Sequence, residues 1–353
     1  MSDERANIFI FTEAGSKFGY GHITRCISLY DELVLKGKNP LFVINGDNEV
    51  KKVLEDRNYI FDTWYDDVKK YFFNQSGDNV DGVFSIVDSY TANQNTYEEI
   101  AALSRRALYI DDTNRLEYPR GIVISPSLCK DKFSYNQIKD RAYLAGKNYV
   151  MLRKEFSPPT IRVIREKVEA ILILMGGADM LNVVPKALKC IANMNLQNQI
   201  INIVATKNYD NLEEIKKVIT DIENEHTIRV KTHIDLSAKE LRVLMETSDL
   251  SISAAGQTIY ELIATKLPFV CIKTADNQSR NIECLMEEGI IQKFADFSTP
   301  VNRHEDQMKM LKSLIEDSLK IQVRQNQVEK MMGMSIVGGA SRIIDKLLGS
   351  VNI

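Results

Sequence analysis

The chain has 353 residues, 44% of them hydrophobic and 26% charged, which is comfortable for two domains with ordinary packed cores. Its 45 basic and 48 acidic residues leave a net charge of only -3, and no basic tract carries interleaved aromatics, so neither nucleic acid nor an anionic membrane is an expected partner. Cys26, Cys129, Cys190, Cys271 and Cys284 are scattered, odd in number and without Cys-x-x-Cys spacing, which points away from zinc and from a disulfide framework and towards a reducing cytoplasm. The opening Met-Ser-Asp-Glu-Arg leads into an apolar run too short for a signal peptide core, and no later run reaches membrane-spanning length. A soluble cytoplasmic protein without membrane insertion is expected.

Short β-rich runs alternate with helical periodicity, the pattern of βα units on a parallel sheet. In the first half, strands are predicted at Ile8–Phe11, Leu41–Ile44, Val83–Val87, Ala107–Ile110 and Ile122–Ile124. Helices are predicted between them at Ile23–Lys36, Val50–Arg57 and Tyr97–Arg106. Ile23, Cys26, Ile27, Tyr30, Leu33 and Val34 share one face of the first helix, and Gly37 supplies the stop. After Pro158-Pro159 a second series begins, with strands at Ala170–Met175, Ile200–Val204, Ile228–Lys231, Leu250–Ser253 and Phe269–Ile272. Its helices fall at Val183–Met194, Asn211–Asn224, Lys239–Thr247, Thr258–Thr265 and Asn277–Glu287, and the stretch from His304 to Gly349 is helical without a further strand. The pattern predicts two doubly wound α/β domains, residues 1–157 and 158–353, with a cleft between their strand ends.

Candidate site residues cluster where strands give way to helices. Gly19-Tyr20-Gly21-His22 puts a histidine at a glycine loop that opens a helix, where first-turn N–H groups offer donors to an anion and an imidazole can serve as a base. A structural loop with an incidental histidine fits the same four residues. Asp88-Ser89-Tyr90 ends one strand and Asp111-Asp112 the next; adjacent strand residues point to opposite faces, so at most one of that pair can enter a site. Ala255-Gly256-Gln257-Thr258, followed by Glu261 one turn on, can seat a phosphate at the helix start and a ribose on the carboxylate. The same small residues also suit tight helix–sheet packing, with Glu261 facing water. Asp276-Asn277-Gln278 collects polar groups at another helix start, where Asp276 also fits an N-cap, and Gly176-Gly177-Ala178-Asp179 permits either close approach of a ligand or a plain turn. His226, His233 and His304 lack ligand spacing.

Taken in order, Gly19-x-Gly21-His22-x-x-Arg25-Cys26, Asp88-x-Tyr90, Ile110-Asp111-Asp112, Gly146-x-x-Tyr149-x-x-Leu152-Arg153-x-Glu155-Phe156, Gly176-Gly177-x-Asp179, Ala255-Gly256-x-Thr258-x-x-Glu261 and Ala275-Asp276-Asn277-Gln278 resemble the PseG-like UDP-sugar hydrolases of pseudaminic acid biosynthesis. The resemblance runs from about residue 7 to 290 and implies a GT-B fold, two Rossmann-like domains facing an interdomain cleft. It implies hydrolysis of UDP-2,4-diacetamido-2,4,6-trideoxy-β-L-altropyranose to free sugar and UDP, with no cofactor and no metal. On that resemblance His22 activates water, with Tyr90 and Asn277 as neighbours placing sugar or water. Gly19, Gly21, Arg25, Asp88, Gly176, Gly177, Ala255, Gly256, Gln257, Thr258, Glu261, Asp276 and Gln278 are its implied binding residues. The chain departs from the family at Thr12-Glu13, where Arg-x-Asp is usual, at Tyr20, at Ser89 in place of histidine and at Ala255 in place of glycine, positions expected on the sugar side. A glycosyltransferase using an acceptor hydroxyl, or a non-catalytic nucleotide-sugar binding protein, fits the same motifs. No oligomeric state is implied.

Overall fold

In a computed structural model of the chain the described residues are 7–15, 17–76, 82–129, 139–194, 196–207, 209–300 and 303–349. The amino-terminal residues on which the signal-peptide argument turns lie outside them. The chain forms two compact units, one running to Lys154 and taking in the chain again from Ile336, the other Glu155–Ser335.

The first unit contains β1 (Ile8–Ala14), α1 (Gly21–Leu35), β2 (Pro40–Gly46), α2 (Lys51–Leu54), β3 (Tyr59–Phe61), α3 (Lys69–Ser76), β4 (Phe84–Asp88), α4 (Gln94–Leu103), β5 (Arg106–Ile110), β6 (Gly121–Ser125) and β7 (Arg141–Ala145). The strands form one sheet in the order β3-β2-β1-β4-β5-β6-β7, every neighbour parallel. Because side chains alternate along a strand, β1 feeds two cores: Ile8 and Ile10 pack with Ile23, Ile27 and Leu33 of α1, while Phe9 and Phe11 pack with Trp64, Tyr71 and Phe72 on the other face. Val34, expected on the buried face of α1, is half exposed. Helix α2 is a single turn in place of the expected Val50–Arg57. The edge strands β3 and β7 and helix α3 were not predicted; both strands are only half buried, so no apolar run marks them.

The second unit contains β8 (Ala170–Leu174), α5 (Val183–Ala192), β9 (Ile200–Ala205), α6 (Leu212–Glu225), β10 (Arg229–Ile234), α7 (Ala238–Thr247), β11 (Leu250–Ala254), α8 (Thr258–Ala264), β12 (Phe269–Lys273), α9 (Ser279–Glu287), β13 (Ala295–Asp296), α10 (His304–Leu319) and α11 (Ile321–Met332). Its sheet runs β10-β9-β8-β11-β12-β13, again parallel throughout. In both sheets the strand order reverses beside the first strand of the unit, between β1 and β4 and between β8 and β11. Ligand crevices of open parallel sheets form beyond the strand carboxyl ends at such points. All the corners singled out in the sequence lie at the carboxyl ends of β1, β4, β5, β8, β11 and β12. No helix among the described residues is long and apolar enough to cross a membrane.

Helix α12 (Gly339–Leu348) closes the described chain and belongs to the first unit, so the carboxy-terminal helical tail packs back on the first domain and does not stay wholly within 158–353. Its Ile343, Ile344 and Leu347 are fully buried in the same cluster as Ile23 and Leu33, and Arg106 donates to the carbonyls of Lys346, Leu347 and Gly349 at its end. Leu347→Ala should therefore destabilise the first unit by about 2–5 kcal/mol, the cost of a buried leucine and the cavity it leaves. Urea unfolding followed by CD tests this; an unchanged midpoint would separate α12 from that core.

Candidate functional site

The carboxyl ends of β1, β4 and β5 and the start of α1 bring His22, Arg25, Asp88, Tyr90 and Asp112 together. Ile86 and Ile110 lie in the α1-facing core, and two residues on along each strand direction come Asp88 and Asp112, on the same side by strand alternation. Arg25 donates from Nε to Asp88 Oδ2 at 2.5 Å, from one terminal nitrogen to Asp88 Oδ1 at 2.5 Å and from the other to Asp112 Oδ2 at 2.7 Å. His22 Nδ1 lies 2.8 Å from the same Asp88 Oδ1. A carboxylate only accepts, so this contact puts a proton on Nδ1, and in the neutral ring Nε2 is then the nitrogen with the lone pair. Nε2 has no hydrogen-bond partner among the described residues. The Tyr90 ring stands edge-on to the imidazole, centroids 4.4 Å apart, and its hydroxyl donates to Asp112 Oδ1 at 2.7 Å.

Charge balance keeps this cluster ionised. Burial alone would raise the Asp88 carboxyl, but Arg25 and His22 outweigh it and hold it well below the usual carboxylate range. Asp112 is likewise lowered, burial being overcome by Arg25. Burial, together with Asp112, pushes the Tyr90 hydroxyl far up, so it is a donor at any working pH. The Cys26 thiol, raised by burial and by Asp88, donates towards Asp88 Oδ2 at 3.6 Å. Arg25 and Asp88, expected to bind substrate, are 6% and 0% exposed and hold each other and His22 instead.

The loop before α1 leaves space for a ligand. Gly19 has φ +74°, which a side chain would strain, and a Cβ at Gly19 or Gly21 would meet nothing within 4 Å. The side chain of Tyr20, the N-cap of α1, makes no capping hydrogen bond to the first turn. Asp111 turns the other way and accepts from Thr113 N and Asn114 N, organising its own turn. Glu13 and Ser89, expected on the sugar side, are 0% and 2% exposed and bonded to each other at 2.5 Å.

In the second unit, Gly176 and Gly177 use their carbonyls to accept from Tyr209 and Thr206, and a Cβ at Gly176 would meet nothing within 4 Å. Asp179 is a cap: its carboxylate accepts from Val183 N and Val184 N at the start of α5 and from Asn211. At the next corner Ala255 is buried, Gly256, Gln257 and Thr258 are half buried, and Glu261 is buried at 3% exposure, which rules out a carboxylate facing water. Asn281, which the sequence did not single out, donates to the Ala255 carbonyl and is held by Tyr260. Gln278 exchanges two hydrogen bonds with Thr274 and so shapes its own corner. Asp276 caps no backbone N–H and pairs only with Lys273 at 3.3 Å, while Asn277 is exposed and makes no hydrogen bond among the described residues. Among the described residues no three His, Cys, Asp or Glu side chains are grouped to hold a metal ion.

No family model matches the chain. Among curated proteins it is 25% identical over 276 residues to an uncharacterised protein of Methanocaldococcus jannaschii, covering 75% of this chain and 55% of that one. It is 23% identical over 331 residues to a pseudaminic acid cytidylyltransferase and UDP-2,4-diacetamido-2,4,6-trideoxy-beta-L-altropyranose hydrolase of Helicobacter pylori, covering 92% of this chain and 52% of that one. The chain thus spans about half the length of the curated relatives it matches. Similar solved structures include MurG of Acinetobacter baumannii, with TM-score 0.63, 12% identity and coverage of 97% and 99% of the two chains. The spinosyn forosaminyltransferase SpnP matches with TM-score 0.59, 13% identity and coverage of 98% and 99%. The calicheamicin glycosyltransferase CalG4 matches with TM-score 0.57, 11% identity and coverage of 99% and 100%. The fold is GT-B, built from two parallel α/β sheets.

Asp88→Asn leaves Arg25 buried with half its compensation and should cost the first unit about 3–5 kcal/mol. The folded carboxyls of Asp88 and Asp112 titrate below their unfolded values, so their stabilisation is complete above about pH 4 and is lost as the pH falls through the lowered folded values. Chemical unfolding at a series of pH values should show wild-type stability declining on acidification more steeply than that of Asp88→Asn. Parallel profiles would mean that Asp88 is not an ionised partner of Arg25.

Proposed function

We propose that the chain hydrolyses a UDP-linked 2,4-diacetamido-2,4,6-trideoxyhexose to the free sugar and UDP, without a metal; the name of the Helicobacter pylori relative includes a hydrolase of such a UDP-sugar. The observation that carries this is His22, its Nδ1 fixed on Asp88 and its Nε2 bare beside an open glycine loop. Water gives its proton to Nε2 as its oxygen bonds the anomeric carbon, and the bond from that carbon to the diphosphate breaks with the electron pair leaving on UDP. Asp88 keeps the imidazole in the accepting tautomer and offsets the charge it gains, and Arg25 holds Asp88. Tyr90 and Asn277 are assigned to placing water or sugar. Gly19 and Gly21 in the first unit, and Gly176 and Gly256 in the second, leave space at the backbone for a diphosphate or sugar, and Gly177, Ala255, Gln257, Thr258 and Asp276 are assigned to the same corners as the latter two. Glu261 is assigned to the ribose hydroxyls.

A sugar transferase would use the same base on an acceptor hydroxyl. The two are separated by incubating the chain with UDP- and CMP-linked sugars, with no acceptor present, and identifying products by mass spectrometry. Steady formation of UDP and free sugar supports hydrolysis, turnover only after an acceptor is added supports transfer, and binding without turnover supports neither.

His22→Asn keeps part of the hydrogen bonding but not the base, and kcat should fall by about 10²–10⁴ with UDP affinity little changed. Near wild-type turnover would remove His22 from catalysis, and activity lost together with UDP binding would make the loop a binding device. Glu261→Ala should weaken UDP binding by about 1.5–3 kcal/mol through lost hydrogen bonds to a charged acceptor. Calorimetry on the folded variant checks this, and unchanged affinity would take Glu261 out of the nucleotide seat.

A further inference from the structure

We propose that Glu13 is a positioning residue that fixes Tyr90 against His22; its consequence for turnover rests on the hydrolase reading above. Glu13 is fully buried yet has no cationic partner among the described residues. A buried carboxylate is tolerated only when its oxygens are richly hydrogen-bonded. Here the donors come from three consecutive residues. Oε1 accepts from Ser89 Oγ at 2.5 Å, from Thr91 N at 3.2 Å and from the Thr91 hydroxyl, and Oε2 accepts from Tyr90 N at 3.1 Å. Ser89 Oγ in turn accepts from Thr91 N and Ala92 N. Every backbone N–H of residues 90–92 is therefore satisfied by Glu13 or by a hydroxyl that Glu13 holds.

The turn is also braced at the Ser89 carbonyl, which accepts from the Tyr97 hydroxyl at 3.3 Å and from Arg115 at 3.1 Å. It lies between the end of β4 at Asp88 and Asn93, which caps α4. Strand alternation puts Glu13 on the Phe9–Phe11 side of β1, away from α1, so it acts on the imidazole only through the turn. What it delivers is Tyr90, held at one end by its backbone N–H and at the other by Asp112, with its ring edge-on at 4.4 Å from the His22 ring. The imidazole is then held in place by Asp88 on Nδ1 and by the perpendicular ring of Tyr90.

Glu13→Gln keeps the shape but replaces one acceptor by a donor, so the turn loses either the acceptor of Tyr90 N or the one shared by the Ser89 hydroxyl, the Thr91 hydroxyl and Thr91 N. With only four histidines in the chain, the His22 ring protons can be assigned by NMR from the signals missing in His22→Asn. In Glu13→Gln they should move towards their positions in Tyr90→Leu, because the ring current of Tyr90 is displaced; unchanged signals in a folded variant overturn the proposal. The kcat should fall about tenfold with KM within about twofold. In a Tyr90→Leu background Glu13→Gln should change neither His22 signals nor kcat further, and an additive loss would show that Glu13 acts by another route. If Glu13→Gln does not fold, Thr91→Val removes one donor from the other side and should shift the His22 signals the same way; no shift overturns the proposal. Wild-type chain that turns over no UDP-sugar sinks the hydrolase reading, while the NMR comparison still decides the role of Glu13.

Discussion

One buried carboxylate, Asp88, organises the site of the first unit. It stands at the end of β4 with no exposure to solvent, and a charge in that position must be compensated. The compensation comes from one helix: His22 and Arg25 are three residues apart, so they share a face of α1, and that face is docked on the sheet by Ile23, Cys26, Ile27 and Leu33. The apolar packing that seats α1 is thus what brings both groups to the same carboxylate. Asp112 then takes the remaining guanidinium nitrogen, and Tyr90 takes the remaining oxygen of Asp112.

Much of this was legible in the residues. Runs such as Ile8–Phe11 and Leu250–Ser253, buried on both faces, announce central parallel strands, and the glycine and polar corners after them fall at the strand ends where the topology puts a crevice. The half-buried edge strands β3 and β7 carry no comparable run, and no pattern distinguishes them from loop. The choice between Asp111 and Asp112 was left open, although parity decides it: Ile110 is buried towards α1, so Asp112 and not Asp111 continues on that side. The same parity places Glu13 on the side of β1 that carries Phe9 and Phe11.

In the second unit the ambiguity has a different cause. Asp, Asn and Gln at a helix start serve as caps, as corner braces or as ligand contacts, and the same side chains suit all three. Only the geometry assigns Asp179 to capping α5, Gln278 to bracing Thr274 and Asn281 to holding the Ala255 carbonyl. Asn277, exposed and without a described partner, and the open approach at Gly176 and Gly256 are what those assignments leave for a ligand.

The first unit resolves two buried carboxylates in opposite ways, and this bears on how its unusual residues are to be understood. Asp88 is balanced by a cation, so an amide in its place leaves Arg25 without that countercharge; Glu13 is balanced by neutral donors, so an amide there disturbs only the geometry of a turn. Glu13 and Ser89 stand at positions where the resemblance led one to expect other residues on the sugar side, yet they are buried against each other. A long carboxylate there meets a short hydroxyl, and the pair builds the turn. Of the groups in this cluster that solvent reaches, Tyr90, 37% exposed and set against His22, is the one this turn carries.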